Sequence, residues 1–340
     1  MDTIYIPSYG RSATISTHKH FQRYGMEKWV YVVEPHDYAN YVKALAGEGI
    51  EDPERHVLMF DVDTYKAPYH EFNNPKGFKY EDDEDWKEGL TTGPGPARNA
   101  LIDFARERGE THCWMLDDDL LGFSVDAFHF QKGVYKKATK KKAADERINI
   151  VEVFELYERL LVKYENLGLA EFEKTGMSFN HEKNIHFSLS KTYTCIRINT
   201  AIDIPWRARW NDDVIYSLDY LWRGYANLSS KIISYQTPDT QTQGGGMTED
   251  FKQEGEDEEL LEIMTLRGVP SKEEVKKSKY SGTLKKARVP ENLFPAVAEA
   301  VWKFSRPHHE VAYNKIPKEL ILKDGANLDD LLLLPAVPEG

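Results

Sequence analysis

Four short apolar runs punctuate the first third of the chain: Thr3-Ile4-Tyr5-Ile6-Pro7, Trp29-Val30-Tyr31-Val32-Val33, His56-Val57-Leu58-Met59-Phe60 and Cys113-Trp114-Met115-Leu116. Each is short enough for a strand. The second is apolar throughout, as in a strand buried on both faces. Helical patterns separate them. One runs to about Arg23. Another, from Pro35 to Ala46, carries Tyr38, Tyr41, Val42 and Leu45 at helix spacing. A third opens at Pro96, presents Ala97, Leu101, Phe104 and Ala105 on one face, and stops at Gly109. Strands alternating with helices of this length predict an α/β fold, a mainly parallel sheet with helices on both faces.

The fourth run ends in Asp117-Asp118-Asp119. Carboxylates are too costly for the middle of a buried strand, so they belong at its carboxyl end. That is the edge where open α/β sheets bind ligands. On a strand, Asp117 and Asp119 point the same way, and two hard oxygen donors suit Mg²⁺ or Mn²⁺ carrying phosphates. The competing reading is local, because Asp also favours turns and helix starts.

Further along, a helix is expected over roughly 148–167, a strand over 188–198 and a helix from Asp213 to Trp222, stopping at Gly224. Another strand is expected over 228–235, then a Gly-rich loop over 237–249, an acidic helix and a helix near 295–304. The apolar tail 331–335 is a candidate for docking on the body or a partner. Trp114, Trp210, Trp222 and Cys195 read as core. His18, His20, His129, His181 and His186 lack metal-ligand spacing and read as structural.

The 340 residues carry a net charge of −12, which opposes non-specific binding of nucleic acid. Base is concentrated in islands, one of them Lys136, Lys137, Lys140, Lys141 and Lys142. Two cysteines in apolar runs read as buried thiols, and reduced thiols fit a cytoplasmic setting. No apolar stretch is long enough to cross a membrane, and no membrane partner is expected.

Four segments together resemble the GT-A class of nucleotide-sugar glycosyltransferases: Ile6-Pro7-Ser8-Tyr9-Gly10-Arg11, Gly95-Pro96-Ala97-Arg98-Asn99-Ala100, Leu116-Asp117-Asp118-Asp119 and Trp210-Asn211-Asp212-Asp213. The Pro-Ser-Tyr-Gly-Arg start, the Gly-Pro and Ala-Arg-Asn helix opening, and the Asp triplet before a lysine-rich insert are similar to the TET-associated glycosyltransferases of bacteriophages. The resemblance spans about residues 3–235. It implies a GT-A, Rossmann-like catalytic domain over 1–240, with a nucleotide-sugar half at 1–122 and an acceptor half at 123–240. Residues 241–340 would form a mobile loop and a mostly helical extension.

The same resemblance implies site roles. Pro7, Ser8, Tyr9, Arg11, Arg98, Asn99, Asp117 and Asp118 would bind the nucleotide-sugar. Asp117 and Asp119 would hold Mn²⁺ or Mg²⁺, and Asp213 or Asp212 would be the general base. UDP-glucose or UDP-N-acetylglucosamine is the implied donor for a hexosyl- or N-acetylhexosaminyl-transferase. 5-Hydroxymethylcytosine in DNA is the implied acceptor, met by the five lysines, in the host cytoplasm for a phage-encoded chain. The class often adds a late histidine to the metal; here none lies between His186 and His308, which leaves His308, His309 or a water.

Chemistry agrees with the class independently. A departing nucleoside diphosphate needs its charge neutralised, and a hydroxyl acceptor needs a base as it attacks. A nucleotidyltransferase also uses paired aspartates, but no Gly-rich basic triphosphate loop stands near the N-terminus. A non-catalytic interaction module would not need Asp117, Asp119 and Arg98 together.

Overall fold

The four apolar runs become neighbouring strands in a computed structural model: β1 (Ile4–Pro7), β2 (Trp29–Val33), β3 (Val57–Met59) and β4 (His112–Leu116). The structure describes residues 1–65, 93–125, 128–131, 134–137, 149–174, 187–189, 191–208, 210–238, 257–277 and 283–326. β1 pairs in parallel with β2 and β4, and β2 with β3. Side chains alternate between two cores. Ile4, Ile6, Tyr31, Val33, Trp114 and Leu116 enter one; Tyr5, Val30, Val32, Cys113 and Met115 enter the other.

Helices cover both faces. After the short α1 (Lys19–Gln22), α2 (Tyr38–Gly47) packs on the first face. α3 (Gly95–Glu107) packs on the second, α4 (Ile150–Leu161) on the first and α5 (Asp212–Trp222) on the second. The first core is dense in aromatics, with Phe154 of α4 4.5 Å from Trp114 and 4.7 Å from Phe172 between ring centroids. Asn149 caps α4 by accepting a hydrogen bond from the Val151 amide at 3.1 Å.

Beyond β4 the sheet continues through β10 (Cys195–Asn199), β8 (Leu167–Lys174), β11 (Ala226–Gln236) and β5 (Gly122–Val125), while β9 (Phe187–Leu189) pairs with β11. β8 and β11 run parallel, and β10 runs antiparallel to both of its neighbours. The half bearing the Asp triplet is therefore wholly parallel and the other half is mixed. β6 (Phe128–Gln131) and β7 (Val134–Lys137) form a separate antiparallel pair.

Several expectations need correction. The helix expected over 148–167 ends at Leu161, and Leu167 already belongs to β8. That strand escapes notice because its Gly and two Glu residues interrupt the apolar pattern. Tertiary packing explains the Gly: a Cβ on Gly168 would lie 2.2 Å from Cδ1 of Tyr220, so α5 approaches the sheet only because that atom is missing. The single strand expected over 188–198 is two strands, and the helix expected near 295–304 is half of a hairpin, β12 (Ala298–Lys303) with β13 (Arg306–Val311). Trp222 is not core; it is 57% exposed and meets Phe294 edge-on.

The C-terminal segment also holds α6 (Asp257–Ile263), α7 (Lys272–Lys277) and α8 (Thr283–Leu293). Phe294, Val297, Ala298 and Ile316 pack against Val214, Ile215, Leu218 and Leu221 of α5. Both cysteines are buried free thiols. Among the described residues no helix is long and apolar enough to cross a membrane. Most of the Gly-rich loop and all of the apolar tail lie outside the described residues.

Candidate active site

β4 stops at Leu116, so the three aspartates form a turn at its carboxyl end. Residues after β1 clamp that turn. The Thr17 hydroxyl donates to the Asp117 carbonyl at 2.6 Å and accepts from the Leu120 amide at 3.0 Å, while the Ser16 amide donates to the Asp118 carbonyl at 3.2 Å. Side-chain direction is then set by partners and not by strand alternation. Asp118 is buried and accepts from the Ser8 hydroxyl and from Arg11 Nη1 at 3.0 Å. The same Nη1 reaches Asp119 Oδ2 at 3.1 Å. Asp117 turns the other way, with Oδ1 3.5 Å from Arg98 Nη2.

Arg98 is the hub. It lies in the first turn of α3, its amide donating to the Pro94 carbonyl at 3.0 Å, and its side chain is buried. Nη1 donates to Asp212 Oδ2 at 2.5 Å, and the guanidinium lies over the Trp206 ring, 4.6 Å from its centroid. Nε is buried without a hydrogen-bond partner among the described residues, so Arg98 keeps one donor in reserve. Asn99 is spent locally: its amide nitrogen donates to the Trp206 carbonyl at 3.0 Å and its oxygen accepts from the Trp206 amide at 2.7 Å. It holds the ring on which Arg98 rests.

One cleft of about 230 Å³ joins these parts, lined by Pro7, Ser8, Tyr9 and Arg11 after β1, by Arg98 of α3, and by Asp117 and Asp118. Its wall includes Glu34 and Phe60, which the sequence did not single out. Tyr41 and Asp37 were missed as well. The Tyr41 hydroxyl meets Ser8 and accepts from the Arg11 amide at 3.2 Å, while Asp37 accepts from the Gly10 amide at 2.7 Å. Nothing local marks either residue, because both reach the turn from α2 and its approach.

Acid outweighs base here. Asp117, Asp118, Asp119 and Asp212 face two guanidiniums, Arg11 and Arg98. Burial pushes the Asp117 carboxyl up to about 7; Arg98 opposes the shift, and Asp119 and Asp118 add to it. Burial likewise raises Asp212 to about 6, against the pull of Arg98. Asp117 and Asp119, the pair expected to hold a divalent cation, offer hard oxygen donors but turn to different guanidiniums, Arg98 and Arg11. Among the described residues no three His, Cys, Asp or Glu side chains gather as a metal-binding group. His308 and His309 instead sit among cations: burial lowers both, and Arg306 and Lys191 lower them further.

α5 begins with Asn211 in the left-handed region, φ 56°, followed by Asp212 and Asp213 in its first turn. Asp212 is committed to Arg98. Asp213 accepts its neighbour's Val214 amide at 2.8 Å and interacts electrostatically with Lys191 and Lys286. The two members of the acidic pair thus differ: Asp212 is hydrogen-bonded to Arg98, while Asp213 interacts electrostatically with Arg98, Lys191 and Lys286.

A cleft cupped by the β1 turn, an Arg at the start of α3, and an acidic turn after β4 is the arrangement that the resemblance implied. The chain belongs to the TET-associated glycosyltransferases. The family model matches residues 3–246. No curated protein matches the chain. The protein is thus a glycosyltransferase, which sets aside the nucleotidyltransferase reading, and the match ends before α6. Within this glycosyltransferase, Lys136 and Lys137 lie on β7, while Lys140, Lys141 and Lys142 are outside the described residues.

Proposed function

We propose that this glycosyltransferase moves a hexose or N-acetylhexosamine from a UDP-sugar to the hydroxyl of 5-hydroxymethylcytosine in DNA, with Mn²⁺ or Mg²⁺ held by Asp117 and Asp119. The observation that carries the donor side is Arg98, which touches Asp117 in the cleft and Asp212 at the head of α5 at once. Tyr9, partly exposed at the cleft, offers a ring to the nucleobase, and Arg11 orders Asp118 and Asp119. Arg98 offers its unused Nε to the diphosphate. The bound cation supplies Lewis acidity to the leaving phosphate.

Asp213 takes the proton of the acceptor hydroxyl as its oxygen forms a bond to the anomeric carbon. The bond from that carbon to the phosphate oxygen breaks, and UDP leaves with the electron pair. Asp212 is the weaker base candidate because its Oδ2 already receives Arg98 Nη1. The acceptor assignment rests on family resemblance and on the lysines of β7 and the following segment, which offer phosphate contacts on an otherwise acidic chain.

The test is mass spectrometry of nucleosides from 5-hydroxymethylcytosine DNA incubated with the protein, Mn²⁺ and a panel of nucleotide sugars. A hexose or N-acetylhexosamine added to the modified base supports the reading. Donor hydrolysis with unmodified DNA overturns the acceptor assignment and leaves the donor site standing.

A further inference from the structure

The β12–β13 hairpin turns through Phe304 and Ser305, with Lys303 opposite Arg306. Both turn residues have positive φ, 56° and 58°, as a tight type I′ connection demands. Asn and Gly fill such positions at little cost; a bulky aromatic residue there is a strained outlier. Phe304 gains little burial in return, since it is 71% exposed. Among the described residues its ring meets the edge of His308, at 5.3 Å between centroids, and the Lys303 ammonium, at 5.5 Å. Stability therefore does not account for Phe at this position.

Several cations stand near the tip, on a chain of net charge −12. Lys303, whose ammonium also pairs with Glu310 at 3.3 Å, lies at the ring, and Arg306 stands opposite Lys303 across the hairpin. Lys191, which lies over the Tyr193 ring at 4.6 Å, interacts with Lys303, His308 and Asp213. Lys286 stands next to the same aspartate: its carbonyl accepts from Asn211 Nδ2 at 2.6 Å, which ties α8 to the residue just before Asp212 and Asp213. Burial pulls Lys286 down to about 8, as for a cation crowded by Arg306 and eased by Asp213. An exposed aromatic ring between cations is how proteins hold a single nucleic-acid strand, with bases stacked and phosphates paired.

We propose that the β12–β13 hairpin, which lies outside the family match, grips the acceptor polynucleotide: Phe304 stacks on a base beside the target, and Arg306 and Lys191 hold the flanking phosphates. This rests on the nucleic-acid acceptor proposed above. It places acceptor recognition on the Asp213 side of the site, in a segment that the family model does not cover.

The test uses the full-length protein and a labelled 5-hydroxymethylcytosine oligonucleotide, with binding read by fluorescence anisotropy across a salt series, transfer by mass spectrometry, and stability by thermal melting. Phe304→Asn suits the left-handed turn, so its melting temperature stays level or rises while binding weakens by about ten-fold. Arg306→Gln reduces the slope of log affinity against log salt by about one. A structural role for Phe304 would lower melting and binding together, and that result overturns the proposal. Equal oligonucleotide binding and KM by parent and Phe304→Asn overturn it as well, with the parent's transfer to DNA intact. A parent that neither binds nor modifies the oligonucleotide, yet hydrolyses UDP-sugar, overturns the nucleic-acid acceptor and the hairpin's role with it.

Discussion

The two sides of this site are built on opposite plans. The donor side is acidic, closely hydrogen-bonded and assembled by β1, α3 and the turn after β4. The side proposed to take the acceptor has cations around Asp213, and it draws on β13, α8 and the segment before β10. On the donor side, each carboxylate of Asp118 and Asp212 already has a short partner, and Thr17 fixes the backbone. On the other side, Phe304 is 71% exposed, and the Lys303 ammonium beside it also reaches Glu310 at 3.3 Å. A diphosphate is common to UDP-sugars, so a site for it suits rigid elements, whereas acceptors differ in shape and suit appended elements that can change without disturbing the sheet.

The contrast can be broken or sharpened by measurement. The largest effect is expected from the donor turn: Asp119→Ala, or EDTA, should abolish turnover and UDP-sugar binding while the melting curve stays close to the parent's. Full activity in either case removes the metal from the scheme. Next comes Arg98→Met, which strands Asp117 and Asp212 without their buried counter-ion. Loss of one partner of a buried pair costs about 3–5 kcal/mol, readable by urea unfolding, and donor binding should go with it. A stable, donor-binding Arg98→Met protein would show that the donor side is less interlocked than its geometry.

On the acceptor side, Asp213→Asn should slow transfer by on the order of 10²-fold with donor affinity unchanged. If Asp212→Asn alone shows that pattern, the base moves one residue. Gly168→Ala tests how firmly α5, which carries both aspartates, is seated. The added methyl collides with Tyr220, and overpacking of this kind costs roughly 1–3 kcal/mol in unfolding experiments.

The smallest effect is a pH effect at Glu171, a buried residue of β8 that accepts the Tyr193 amide at 2.6 Å. Burial raises its carboxyl well above the usual range; Ser229 and Lys191 oppose the shift, and Glu173 and Asp213 add to it. A raised folded-state value means that the group's stabilising contribution is complete below the ordinary carboxylate range and is lost as pH rises through the raised value. Glu171→Gln should therefore melt above the parent at alkaline pH, with the gap closing toward pH 4. A gap that widens on acidification reverses the sign and places a charged partner at Glu171.

The donor half was readable because its parts obey local rules. Apolar runs between helix-spaced segments force a parallel sheet. Carboxylates after such a run must sit at its end. Proline is favoured in the first turn of a helix, and Pro96 stands there, which carries Arg98 into the first turn. The acceptor half was not readable in this way. β8 hid behind Gly and Glu because its environment, and not its own pattern, makes it a strand: Tyr220 fills the space that Gly168 leaves, and Tyr193 satisfies Glu171. The hairpin hid for a related reason, since Phe304-Ser305 lacks the turn residues that announce a tight connection. Sequence by itself determined the alternating fold and the acidic turn, because these follow from periodicity and from the cost of burying charge, and the class of chemistry entered through the resemblance of four segments. Only the tertiary structure decided that Asp212, and not Asp213, is hydrogen-bonded to Arg98, and that the segment leading into a hairpin some ninety residues later packs on the same helix, because those choices depend on contacts between segments far apart in the chain.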